Sequence, residues 1–333
     1  MKPPLLRVSD LVTEFHARHG VVHAVNGVSF DMEPGERLAI VGESGSGKSA
    51  MAQSLLRLLP AAGKIVGGRV ELDGQDLLTM NSKGLAEVRG GRVAMVFQDP
   101  MMSLNPVMTI KDQMIPPMRQ HLGLSTQQAV DRAIELLGQV GIPDPASRLR
   151  AHPHELSGGM RQRVLIAMAL SCKPELIIAD EPTTALDVTI QAQIVALLKH
   201  LSEQTGTAVL FITHDFGLVA RFAQKIAVMY GGRMVEFGKS VDVFGNPQHP
   251  YTRALLRSIP AIAGPKPDRL EQIDGAPPNM KALIPGCSFM PRCDLATAAC
   301  GTRRPLLNEF EPGHSAACFE TDAASREVLV AAV

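Results

Sequence analysis

Apolar and polar positions alternate in three runs across residues 5–41: LLRVSDLVTEF, VVHAVNGVSFDM and ERLAIVG. A period of two with β-branched residues predicts strands. SAMAQSLLRLL (49–59) switches to helical spacing. KIVGGRVELDG predicts a hairpin and RVAMVFQ a buried strand. From Met101 to Leu170 the spacing is helical, through TIKDQMIPPMRQHL, TQQAVDRAIELLGQVG and GGMRQRVLIAMALSC. Short apolar strands return as ELIIADE and AVLFITH, with the helix VTIQAQIVALLKHLSEQ between them. Strand, helix and strand in that order imply a parallel sheet covered on both faces. IAVMYGGRMVEFG closes the alternation with a small hairpin.

Composition changes the picture at Asn246. NPQHPYT, SIPAIAGPKP and GAPPNMKALIPG are rich in proline and glycine. The tail therefore reads as loop-rich, with one short helix at YTRALLRS and no sizeable core of its own. A chain of 333 residues fits about two domains. Lys+Arg and Asp+Glu are 33 each, so no global charge points to nucleic acid or an anionic surface. With no Trp and two Tyr, a stacking platform for single strands is disfavoured. MKPPLLRVSD has no apolar signal-peptide region, and no apolar run approaches the roughly 20 residues of a membrane helix. The expectation is a cytosolic chain that meets a membrane only through a partner.

Gly42-Glu43-Ser44-Gly45-Ser46-Gly47-Lys48-Ser49 fits the pattern G-x-x-x-x-G-K-[ST], after a strand and before a helix. Glycines let the backbone curl so that successive N–H groups point at phosphate oxygens, and the helix adds its positive end. Lys48 would neutralise the β- and γ-phosphates, and the Ser49 hydroxyl would ligate Mg²⁺. LIIAD puts Asp180 at the end of a buried strand, where a carboxylate can hold Mg²⁺ through its water shell. Glu181 follows and is the candidate to orient and activate the attacking water. LSGGMRQR opens a helix with Ser157 at the N-cap, and Gly158 and Gly159 leave its first amides bare. A second anion site in a chain with a complete phosphate cradle suggests service to another subunit's nucleotide.

With these motifs in order, residues 5–245 resemble the ATPase subunits of ABC transporters, whose signature reads LSGGQ; Met160 stands where Gln is commonest. The resemblance implies an ABC-type P-loop NTPase: a RecA-like parallel sheet core, an antiparallel β subdomain, and a helical subdomain at about 99–170. Residues 246–333 then form a loop-rich C-terminal extension. It implies ATP and Mg²⁺ as ligands. Gln98 in VFQDP resembles the Q-loop, which senses Mg²⁺ and touches the membrane subunit. Ala185-Leu186-Asp187 resembles the D-loop, and His214 in FITHD resembles the switch histidine at the γ-phosphate. Phe15 stands where the family puts an aromatic ring on adenine. No motif is degenerate, which implies a hydrolysing subunit that works as a head-to-tail pair. A soluble ABC ATPase acting on nucleic acid or the ribosome usually has two cassettes or a coiled-coil insertion, and this chain has neither.

Asn246-Pro247-Gln248-His249-Pro250-Tyr251-Thr252-Arg253 and the Pro-rich tail resemble the extension of the dipeptide/oligopeptide permease ATPases. That implies a bacterial importer at the cytoplasmic face of the inner membrane. Its partners would be a second ATPase subunit, two membrane permease subunits and an external peptide-binding protein, with no nucleic acid. Nickel and glutathione importers share this tail type. The tail also carries Cys287, Cys293, Cys300 and Cys318. Disulfides are disfavoured in reducing cytosol. The spacing lacks the C-x2-C knuckles usual for zinc, whereas iron–sulfur cubanes tolerate wider loops. From the residues alone, cluster, zinc and free thiols all stay open. Some dipeptide-permease ATPases carry a 4Fe–4S cluster here, and the four cysteines match those ligand positions. His314 is expected on the surface, and Cys172 as an ordinary buried thiol.

Overall fold

The computed structural model describes residues 3–17, 20–99, 103–184, 186–259 and 272–321. Its strands are β1 (Leu6–Ala17), β2 (Gly20–Met32), β3 (Arg37–Val41), β4 (Gly63–Leu72), β5 (Gln75–Asp76), β6 (Val93–Val96), β7 (Leu176–Asp180), β8 (Ala208–Thr213), β9 (Lys225–Tyr230), β10 (Arg233–Lys239), β11 (Asn308–Glu311) and β12 (His314–Ala316). Its helices are α1 (Lys48–Leu55), α2 (Ser82–Val88), α3 (Ile110–Leu122), α4 (Thr126–Gln139), α5 (Pro145–Arg148), α6 (Gly158–Leu170), α7 (Val188–Thr205), α8 (Phe216–Phe222), α9 (Ser240–Gly245), α10 (Pro250–Arg257) and α11 (Ala298–Thr302). The chain forms two compact units. The first holds Met1–Leu6, Met32–Arg37 and Leu72–Ile212; the second holds Arg7–Asp31, Leu38–Glu71 and Thr213–Val333.

In the first unit β6, β7 and β8 run parallel, with Val93 opposite Leu176 and Leu176 opposite Ala208. Every residue of β7 and β8 is buried, as the unbroken apolar runs LIIA and AVLFI require of strands covered on both faces. The helices start where side chains cap them. Thr109 accepts from Asp112 N for α3, Ser125 forms a capping box with Gln128 for α4, and Asp187 accepts from Ile190 N for α7. α4 packs on both α3 and α6.

In the second unit β1 lies between β2 and β4. The expected hairpin at KIVGGRVELDG is instead one continuous strand, β4. Gly68 takes φ 92° there, and a Cβ on it would lie 2.5 Å from the Leu11 Cα and 2.6 Å from its nitrogen. Glycine at this point serves a close backbone approach rather than a turn. β3 runs parallel to β9, β9 and β10 form the expected hairpin, and the sheet then continues antiparallel through β12 to β11. The extension is therefore less loop-rich than its composition implies. α10 is the expected helix, but NEFE and HSA are too short to register as strands by pattern. They form because β10 offers them an open edge. Their pairing also buries His314, which is 1% exposed with its Nε2 2.8 Å from the buried Glu236 Oε1; the surface expectation for His314 is wrong for this reason.

Candidate active site

β3 delivers the chain into the loop Gly42–Gly47, and α1 begins at Lys48. Two glycines shape this turn. Gly42 and Gly47 take φ 156° and 101°, and a Cβ on either would run into backbone, the Met229 carbonyl for Gly42 and the Ala24 carbonyl for Gly47. Ser44 and Gly45 are exposed at the tip. Lys48 is 4% exposed, and its Nζ donates to the carbonyls of Gly42 at 2.8 Å and Glu43 at 3.0 Å. The ammonium thus lies over the loop it belongs to. The Ser46 Oγ is buried with no hydrogen-bond partner, a polar atom that a bound anion would satisfy. Ser49, one residue into α1, is half-buried. This concavity joins amides, a cation and a helix N-terminus, the combination that binds phosphate.

Side chains that sequence reasoning did not single out brace the outside of the loop. The Arg292 guanidinium forks onto Glu43, with Nη1 2.7 Å from Oε2 and Nη2 3.0 Å from Oε1. Nη1 also donates to the Tyr230 phenol at 3.2 Å. Glu43 N donates to the Tyr251 phenol oxygen at 2.8 Å. Tyr230, Tyr251 and Phe289 pack together, with ring centroids 4.5–5.3 Å apart. The hydrogen bonds that Arg292 donates to Glu43 raise it further above its ordinary range, and burial raises both phenols. No spacing rule ties residue 43 to residue 292, so only NPQHPYTR, which contains Tyr251, hinted at this brace.

In the first unit, β7 ends on Asp180, which is 3% exposed. Glu181 follows at φ 45°, a left-handed conformation that a non-glycine residue adopts at a cost of about 1–3 kcal/mol. Its Oε2 accepts from Gln98 Nε2 at 3.3 Å and from Thr184 Oγ1 at 2.9 Å, while its N–H donates to the Ile212 carbonyl. The structure thus brings Gln98 and Glu181 together. A buried carboxylate at a strand end suits Mg²⁺, which takes oxygen ligands and keeps waters. Ser157 caps α6 by accepting from Met160 N at 3.3 Å, and Ser157 and Gly158 are exposed. The D-loop motif includes Ala185, which lies outside the described residues; Leu186 and Asp187 follow it. In the second unit His214 is exposed just after β8, and Asp215 caps α8. Phe15 is half-buried on β1, and its ring edge would lie 3.1 Å from a Cβ on Gly63.

Each of Cys287, Cys293 and Cys318 has its thiol pushed up, first by burial and also by charge on neighbouring cysteines, Cys318 to about 11. Backbone amides bond to these sulfurs: Phe289 and Met290 to Cys287, Leu295 to Cys293, and Glu320 to Cys318. Cys287 N also donates to the Cys300 carbonyl at 2.8 Å. The four cysteines therefore share one neighbourhood. Among the described residues, however, no group of three or more His, Cys, Asp or Glu is arranged to hold a metal ion, and the expected cluster gains no support from that arrangement. Cys172 is buried as expected, and burial raises its thiol.

Residues 25–184 match the ABC transporter family. The structure aligns with a dimeric structure of MJ0796, described as a bacterial ABC transporter cassette, at TM-score 0.63 and 30% identity. That alignment covers 71% of this chain and 98% of the other. The same cassette in a post-hydrolysis state with ADP and Pi aligns at TM-score 0.63 and 29% identity, with the same coverage. The fold and site are those of an ABC ATPase cassette, with ATP and Mg²⁺ as its ligands. Residues 235–300 match a second family, the C-terminal region of oligopeptide/dipeptide transporters. A probable peptide ABC transporter ATP-binding protein of Sinorhizobium fredii is 50% identical over 96% of this chain and 95% of its own length. The dipeptide transport ATP-binding protein DppD of Bacillus subtilis is 45% identical over 96% and 95%. The oligopeptide transport ATP-binding protein OppD of Salmonella typhimurium is 46% identical over 95% and 93%. The chain belongs to the oligopeptide/dipeptide branch of the ABC transporter ATP-binding subunits, and it is an ATPase. Among the described residues no helix is long and apolar enough to cross a membrane.

Proposed function

We propose that this subunit powers import of dipeptides or oligopeptides from the cytoplasmic face of a bacterial inner membrane. It would work with a second, related ATPase subunit, two membrane permease subunits and an external peptide-binding protein. The match of the C-terminal region and the names of the relatives support this cargo. Residues 1–245 form the ATPase part, with a helical subdomain at about 99–170, and residues 246–333 form the extension.

Lys48 and the phosphate loop, through Gly42, Ser44, Gly45, Ser46 and Gly47, hold the phosphates of this subunit's own ATP. Ser157, Gly158 and Gly159 address the partner's. Ser49, Asp180 and Gln98 would hold Mg²⁺, which neutralises charge on the β- and γ-phosphates. Glu181 orients the attacking water and takes its proton, His214 contacts the γ-phosphate, and Phe15 packs on adenine. The observation that carries this reading is the Glu181 carboxylate held by Gln98 and Thr184 at the end of a buried strand. A carboxylate aimed in this way can act as a base with little reorganisation. In the assembled complex, Glu181→Gln should bind ATP normally and hydrolyse it about 10²–10⁴-fold more slowly. Normal turnover would remove Glu181 from this role. Radiolabelled uptake in cells then tests the cargo. Nickel or glutathione entering in place of peptide would reassign it.

We further infer that Cys287, Cys293, Cys300 and Cys318 hold a 4Fe–4S cluster. Its contribution would be to tie together loops that share little core. The match of the four cysteines to the ligand positions of cluster-bearing dipeptide-permease ATPases motivates it. Anaerobic purification should give a brown protein with about four irons per chain; a colourless, iron-free protein refutes the cluster.

A further inference from the structure

We propose that Arg292 is a positioning residue for ATP binding: its ion pair with Glu43, together with the Tyr251 phenol, holds the phosphate loop in its binding shape from the extension. The inference rests on reading Gly42–Ser49 as the phosphate site.

A phosphate loop binds through backbone N–H groups, so its affinity depends on how well its curl is kept. Glu43 is the first residue of that curl able to carry a side-chain contact. Its N–H does not contribute to the cradle, because it donates to the Tyr251 phenol. Its carboxylate is fully engaged by the Arg292 fork. Both groups of Glu43 are therefore engaged by side chains of the extension, which hold the loop.

The anchor itself is rigid. Arg292 is 4% exposed in its side chain. Its other N–H groups donate to the Asp274 and Ile273 carbonyls and to the Tyr230 phenol. Tyr230 directly follows Met229, the residue whose carbonyl leaves room only for glycine at position 42. One segment thus fixes the inner wall of the loop, while Arg292 fixes the outer. A charge this buried depends on its partner: deleting either member leaves the other unpaired. Lysine cannot replace the fork, because its ammonium is a single point of attachment.

Arg292 also belongs to the short turn Met290–Arg292, directly before Cys293. Order in the thiol-bearing tail is therefore linked to order in the phosphate loop. By reciprocity, bound nucleotide must steady the tail as much as the tail steadies the loop.

The test uses the full-length chain and measures equilibrium ATP binding alongside steady-state KM and kcat. Glu43→Gln keeps the shape of the side chain and removes its charge; Arg292→Lys keeps the charge and removes the fork. Each should weaken ATP binding about 5–20-fold, with KM rising more than kcat falls. The double variant should be no weaker than the worse single one, because both break the same contact. Lys48→Ala is the reference and should abolish binding. If Lys48→Ala still binds ATP, the phosphate-loop reading itself fails. If Lys48→Ala loses ATP while Glu43→Gln and Arg292→Lys bind like the parent, the positioning role alone is overturned. A fall in kcat at unchanged affinity, or single effects that add in the double variant, overturns it too.

Discussion

Helices α1 and α6 start beside glycines, and they differ in what surrounds those glycines. At the start of α1, Gly42 and Gly47 are hemmed in by backbone, and a methyl group at either would strike a carbonyl of this chain. At the start of α6, a Cβ on Gly158 would meet only the Leu186 side chain at 3.6 Å, and one on Gly159 the Ile190 side chain at 3.2 Å. The first site is enclosed and braced by its own chain, down to the Glu43–Arg292 pair. The second presents an exposed serine and an exposed glycine. An enclosed cradle can hold a phosphate by itself. In the function proposed above, an open helix end offers half of a site and takes the other half from outside the subunit.

Three measurements can break or sharpen that contrast. The largest effect belongs to Gly47→Ala. A side chain at φ 101° that also collides with Ala24 should distort the loop, abolish ATP binding and cost about 2 kcal/mol or more. Calorimetry and nucleotide titration check it. Retained binding would mean that the cradle is less enclosed than its geometry states.

The next effect is a dependence on acid. His249 caps α10, the helix that carries Tyr251 to the loop, and its Nδ1 accepts from Tyr251 N at 3.1 Å. Burial pushes its pKa down to about 4 from 6.5. The unfolded chain therefore binds a proton between those values while the folded chain does not. Stability from the neutral ring is complete above pH 6.5 and is lost as pH falls toward 4, by roughly 3 kcal/mol in all. Melting temperature should fall as pH is lowered through that window, and His249→Gln should flatten the dependence. A parent protein with no such slope removes the effect.

The smallest structural effect is expected for Gly158→Ala. Its new methyl group meets only ordinary contact, so folding stability and ATP binding to the isolated subunit should change by less than about 0.5 kcal/mol. Hydrolysis in the assembled complex should nevertheless fall by about tenfold if, as proposed, the helix end addresses the partner's nucleotide. Equal loss in the isolated subunit would place α6 at its own nucleotide and undo the contrast.

Much of this was legible from the residues. The phosphate loop, the acidic end of β7 and the capped start of α6 are each short in sequence, and each depends on local spacing. Periodicity carried the parallel strands and the long helices for the same reason. What escaped was non-local. The glycine pair in β4 reads as a turn until Leu11 is seen against Gly68. NEFE and HSA become strands only because β10 has an edge to offer, and His314 is buried only because that edge is filled. The brace on Glu43 joins positions 249 residues apart, and no periodicity or motif spans that distance.

β10 has one further consequence, in the making of the protein. Its outer edge pairs with Ser315 and Ala316 of β12. During synthesis β10 must stand with its outer edge unclosed until residues 308–316 have left the ribosome, and an unclosed strand invites pairing with a neighbouring chain. Truncation before residue 308, downstream of every ATP motif, should therefore yield aggregated protein rather than a shortened, working ATPase.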